Sequence, residues 1–163
     1  MKRLALIALV FVLAGCSTVK GVVYYEAHVT GPSMIAPRLY LLTDYQRADA
    51  DLLHRLGINA VLGVHTVKDK ELPGFTWAWV PIKYEDTPEN RAQIERAVDQ
   101  GLTWLAQGRT VGIGCKAAEN RSVVVAAKVL ARLYGGTWQD WFAYIEALRV
   151  QAYWQGWMEN IPQ

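Results

Sequence analysis

Cysteine is scarce in this sequence: Cys16 and Cys115 are the only two among 163 residues. That excludes a disulfide framework, so stability has to come from a core, and a hydrophobic share of 52% in 163 residues is enough to build one. A charge of one sign is lacking too. Seventeen Lys and Arg face fifteen Asp and Glu, so nothing in the charge balance argues for nucleic-acid binding. His28, His54 and His65 are scattered without the spacing of a metal site, and no metal or other cofactor is expected. There is no internal repeat and no low-complexity tract. No apolar run approaches the about twenty residues that a bilayer-spanning helix needs.

The first fifteen residues stand apart. Lys2 and Arg3 precede an apolar run from Leu4 to Leu13, the pattern of a secretory signal. The run ends in "LAGC", Leu13 to Cys16, which resembles the lipobox of bacterial lipoproteins. That resemblance implies cleavage before Cys16 and a lipid on its thiol. Ser17 and Thr18 follow with no Asp, which implies passage to the outer membrane, facing the periplasm. The expected organisation is a signal peptide at 1–15, a lipidated N-terminus and tether at 16–35, and one domain at 36–163. Without Lys2 and Arg3 the chain carries fifteen charges of each sign. Cys115 is then the one free thiol, and in an oxidising compartment a lone thiol favours a use for it, the alternative being an inert buried cysteine.

Along the domain, short apolar strands alternate with helical patterns. "RLYLL" (38–42), "INAVLGV" (58–64), "FTWAWVPI" (75–82) and "TVGIG" (110–114) read as strands. Thr43 or Asp44 caps a helix with Ala48, Leu52, Leu53 and Leu56 on one face, closed by Gly57. Thr87, followed by Pro88, caps a longer one whose stripe is Ile94, Ala97, Val98, Gly101, Leu102 and Leu105. "RSVVVAAKVLARLY" (121–134) is apolar enough to be central. Thr137 and Asp140 open another helix, and a further one is expected to reach about Met158. Trp77, Trp79 and Trp104 are placed in the core, and Trp138, Trp141, Trp154 and Trp157 pack the C-terminal end. The alternation implies an α/β fold with a central, mostly parallel sheet flanked by helices.

The informative stretch is "VGIGCKAAENRS", Val111 to Ser122. A loop between the end of a strand and the start of a helix aims several backbone N–H groups at one point, where the helix dipole also favours negative charge. Cys115 at its head has a stabilised thiolate, and the planar fork of Arg121 matches two oxygens of a phosphate. Ser122 can donate a hydrogen bond to the sulfur.

"CKAAENRS", preceded by a strand and followed by an apolar helix, resembles the Cys-x5-Arg loop of cysteine-based protein tyrosine phosphatases, in particular the dual-specificity branch. "PRLYLLT", "LGINAVLGV", "LPGF", "WVPIKYEDTPEN" and "RSVVVAAKVLARL" follow that family's order. The resemblance implies a fold, a metal-independent phosphatase activity on phosphate monoesters, and roles for residues. Cys115 is the nucleophile. Arg121 and the backbone from Lys116 through Ala117, Ala118, Glu119 and Asn120 hold the phosphoryl oxygens. Asp86 is general acid and then base, with Glu85 as its rival, and Ser122 assists release of the thiolate. The implied partner is a phosphorylated substrate, whether phosphoprotein, phospholipid or inositol phosphate, and a monomer is expected. The chain departs from the family at Gly114, where it has histidine, and at Ala118, where it has glycine. The alternatives are a catalytically weak or inactive phosphate-binding module on the same fold and, further off, a sulfur-transfer loop.

Overall fold

The computed structural model describes residues 31–149, 152 and 154–163. The signal segment, Cys16 and the tether as far as residue 30 lie outside them.

Among the described residues, five short strands form one sheet. They are β1 (Ser33–Ala36), β2 (Leu39–Leu42), β3 (Ala60–Gly63), β4 (Thr76–Trp79) and β5 (Val111–Gly114), in the spatial order β1-β2-β5-β3-β4. β2, β5, β3 and β4 run parallel; only β1 is antiparallel to its neighbour, with a bulge between Met34 and Ala36. The expected sheet is therefore present. The tether reading ends early, because Ser33 and Met34 are already paired with β2.

Alternation along the strands divides the core into two layers. Leu39, Leu41, Ala60, Leu62, Val111 and Ile113 face the larger one, covered by α3 (Pro88–Ala106), α4 (Arg121–Tyr134) and α5 (Trp138–Leu148). On the other face Leu42 and Val61 pack with Leu53 of α2 (Ala50–Arg55). α4 is buried continuously from Arg121 to Leu130 and packs on α3, α5, β2 and β5, which explains why its sequence is mostly apolar.

Three expectations need correction. The helix after β2 is two: Thr43 caps α1 (Asp44–Arg47), and Asp49 then caps α2 by accepting from the Leu52 amide at 2.9 Å, so the chain restarts rather than continues. β4 is an edge strand, so Trp77 and Trp79 are only partly buried, whereas Trp104 is in the core. Past α5 the described residues hold no further helix beyond a 3₁₀ turn at Gly156–Met158. Trp138 is buried at that end, and Trp154 stacks on it at 5.3 Å while remaining part exposed.

The capping box of α5 is as expected: Thr137 Oγ1 accepts from the Asp140 amide at 3.2 Å, and the Thr137 amide donates back to Asp140 Oδ2 at 3.3 Å. Thr137→Ala should cost about 1 kcal/mol, read as a lower midpoint in urea unfolding with an unchanged slope.

All four parallel strands end on the same side, and Leu42, Gly63 and Trp79 stand with Gly114 in the last row. The segments after them, α1, residues 64–75, residues 80–87 and the cysteine loop, therefore gather at one edge. That edge is where open α/β sheets bind ligands.

Candidate active site

Cys115 leaves β5 buried, with Ser122 Oγ 3.3 Å from its Sγ. The backbone amides of Ser122 and Glu119 also point at the sulfur. Burial pushes the thiol's pKa up, but the Ser122 hydroxyl and amide, the Arg121 charge and the Glu119 amide outweigh it, so the net shift is downward. Asn120 occupies the N-cap position of α4 without a side-chain capping bond, leaving the first-turn amides to the loop.

Arg121 is buried. Its Nη1 donates to Ile82 O at 3.3 Å, its guanidinium lies 4.3 Å over the Tyr84 ring, and its Nε is enclosed without a hydrogen-bond partner. A desolvated donor of a permanently charged group is costly to leave unfilled, and an oxyanion would fill it. Tyr84 is backed edge-on by Trp157 at 5.8 Å.

The rest of the loop follows the sequence in part. Lys116 is exposed, and its carbonyl accepts from the Asp44 amide at 3.1 Å. Ala117 is half-buried, while Ala118, Glu119 and Asn120 are buried. Ala118 has φ 58°, the left-handed region, which costs an alanine roughly 1 kcal/mol or more relative to glycine. The Glu119 charge is offset by Arg149, a buried cation after α5 whose Nη1 donates to Ser33 Oγ at 2.8 Å. Burial depresses the Arg149 pKa, while the nearby Cys115 and Glu119 raise it.

Asp86 stands on the segment whose Ile82 carbonyl holds Arg121. Asn90 fixes that segment through Lys83 N at 2.8 Å, Lys83 O at 3.0 Å and Glu85 O at 2.7 Å. The Asp86 carboxylate itself is held by Arg91, at 2.7 Å from Nε and 2.5 Å from Nη2, and by Asn160 Nδ2 at 2.8 Å. Both bonds depress its pKa, Arg91's more. Glu85 is exposed with Lys83 3.7 Å away. The structure thus brings Cys115, Arg121 and Ser122 together and places Asp86 on the adjoining segment, turned to its own partners.

At Gly114 the space where the family has histidine is taken. A Cβ there would lie 2.5 Å from Arg47 Nη1, 2.6 Å from Arg47 Cδ and 2.8 Å from Leu42 O. Arg47, Asn90, Arg149 and Tyr84 were not legible as site residues. His65 stands in the sequence as a histidine without metal spacing, and no three His, Cys, Asp or Glu side chains among the described residues could hold a metal ion.

No protein-family model and no curated protein sequence matches the chain. Solved structures do. Human DUSP28 superimposes with a TM-score of 0.70 at 19% identity, over 78% of this chain and 87% of that one. The chain has the dual-specificity phosphatase fold. DUSP15 matches at a TM-score of 0.67 and 23% identity, over 75% of this chain and 78% of that one. PTPMT1, solved in complex with PI(5)P, matches at 0.64 and 14%, over 80% of this chain and 90% of that one. In this fold the Cys115 loop and the Asp86 segment occupy neighbouring strand-to-helix connections.

Proposed function

We propose that the protein hydrolyses phosphate monoesters through a phosphocysteine intermediate. The observation that carries this reading is the pairing of a thiol drawn toward its thiolate with the buried, unfilled Nε of Arg121 across a loop lined with amides. Cys115 Sγ attacks phosphorus; the bond from phosphorus to the ester oxygen breaks, and that oxygen takes the Asp86 proton. Arg121 and the loop amides stabilise the equatorial oxygens as charge spreads onto them. A water, losing its proton to Asp86, then attacks phosphorus. Inorganic phosphate leaves, and the departing sulfur carries its negative charge toward the Ser122 hydroxyl.

The substrate class is a phosphoprotein or a phosphorylated lipid or inositol. We place the protein in a bacterial cell envelope, anchored by lipid on Cys16 to the outer membrane and facing the periplasm, on the strength of the "LAGC" box. No helix among the described residues is long and apolar enough to cross a membrane. The test is phosphate release from a generic aryl phosphate by the full chain at mildly acidic pH, beside Cys115→Ser and Asp86→Asn. Equal release by all three proteins would sink the reading.

The grip of Arg91 and Asn160 on Asp86 favours a second reading, a loop that binds phosphate and turns it over slowly. The lowered Asp86 pKa makes the carboxylate harder to protonate than an ordinary aspartate, so the proton needed by the leaving oxygen is confined to more acidic pH. Arg91→Ala should let that pKa rise, move the alkaline limb of the kcat/KM profile to higher pH, and raise activity at pH 7 by about two- to fivefold. An unchanged profile would remove Asp86 from the acid role.

A further inference from the structure

We propose that Arg47, seated with Asp69 in the room left by two paired glycines, is the positioning residue that holds the cysteine loop in its reactive shape. The proposal rests on Cys115 being the reactive thiol.

Gly63 and Gly114 are partners across β3 and β5, in the last row before the loop. Each lies against a charged side chain. A Cβ on Gly114 would strike Arg47, and one on Gly63 would lie 3.1 Å from Asp69 Oδ2. Into this space α1 sends a fully buried arginine, Nε donating to Asp69 Oδ2 at 2.8 Å and Nη1 to the Cys115 carbonyl at 2.5 Å. Nη2 lies 2.7 Å from His65 Nε2, which is also 2.9 Å from Asp69 Oδ1; that nitrogen accepts from the arginine or donates to the aspartate, according to its proton. The imidazole is held in turn by its own backbone, whose carbonyl accepts from Trp79 Nε1 at 2.8 Å.

A buried ion pair is a poor way to stabilise a core, since well-packed apolar side chains of the same volume do as well or better. This one has another use. At its N-terminal end α1 donates the Asp44 amide to Lys116 O at 3.1 Å, and at its C-terminal end it donates Arg47 to Cys115 O. One short helix therefore grips two successive carbonyls of the loop. With those peptides fixed, the Glu119 and Ser122 amides stay aimed at the sulfur, and Ala118 is held in its left-handed conformation from outside. Arg47 acts through the backbone of Cys115 and not by touching sulfur or substrate.

The test reads the thiolate directly. Alkylation of Cys115 by iodoacetate in the full chain is followed against pH by peptide mass spectrometry, with aryl phosphate kinetics alongside, for Arg47→Met, Asp69→Ala and Asp69→Asn. For Arg47→Met and Asp69→Ala the alkylation midpoint should rise by about one pH unit, and kcat fall about tenfold with KM changed less than about threefold. Asp69→Asn keeps an acceptor for Arg47 and should stay within about threefold of the parent. If the midpoints of Arg47→Met and Asp69→Ala do not move, and only the unfolding temperature falls, the cluster is structural and the proposal is overturned. If Arg47→Met does not fold, the contrast between Asp69→Ala and Asp69→Asn decides alone, and equality of the two overturns it. A chain that releases no phosphate yet shows the alkylation shifts supports the positioning role while removing the phosphatase reading.

Discussion

Cys115→Ser should lower phosphate release by about 10⁴-fold or more while leaving the fold and the affinity for inorganic phosphate nearly unchanged. The substitution exchanges one atom for a slightly smaller one at a buried position, so packing and Arg121 are little disturbed. What disappears is the nucleophile. The downward shift of the cysteine comes from the Ser122 hydroxyl and amide, the Arg121 charge and the Glu119 amide, enough to favour a thiolate against the opposing burial. The same donors cannot ionise a serine hydroxyl near neutral pH, because its intrinsic acidity is many orders of magnitude lower. The measurement is burst and steady-state phosphate release, with phosphate binding followed by calorimetry. Retention of more than about one per cent of the parent rate would mean that the reaction does not pass through this sulfur.

Gly114→Ala should destabilise the protein by about 3 kcal/mol, the upper part of the range for overpacking a core. The new methyl would sit 2.8 Å from Leu42 O, a backbone atom held in the β2–β5 pairing, as well as against the buried Arg47. The side chain has nowhere to retreat, since its guanidinium is fixed by Asp69 and by the Cys115 carbonyl. For a domain of this size the loss is about 10 °C in the unfolding midpoint, measurable by scanning calorimetry. A drop of less than about 2 °C would show that β5 can shift to make room.

The parts legible in the sequence are those fixed by local rules. Thr87 with Pro88, Thr137 with Asp140, and the glycines ending helices announce their elements through capping chemistry, and α4 spans the residues its apolar run marks. The cysteine loop was legible because nucleophile, arginine and serine lie within one short stretch. The remainder depends on contacts between distant residues. Arg47 lies 68 positions from the carbonyl it holds, and Asn160 lies 74 from Asp86. No periodicity or spacing carries such a pairing; only the strand order creates it. β1 escaped for a related reason: four residues flanked by prolines look like a linker until β2 and the hydroxyl bond from Arg149 are in place.

That overlooked strand has a consequence for the company the molecule keeps. A sheet's outer strand carries unpaired N–H and C=O groups and can template the addition of foreign chains, a route to aggregation. Had the sheet ended at β2, its "LYLL" backbone would have been such a template. The strand that covers it is four residues long, bulged between Met34 and Ala36, and bracketed by Pro32 and Pro37, which breaks any continuous ladder a further strand could join. Among the described residues, β1 therefore acts as a stopper on this side of the sheet.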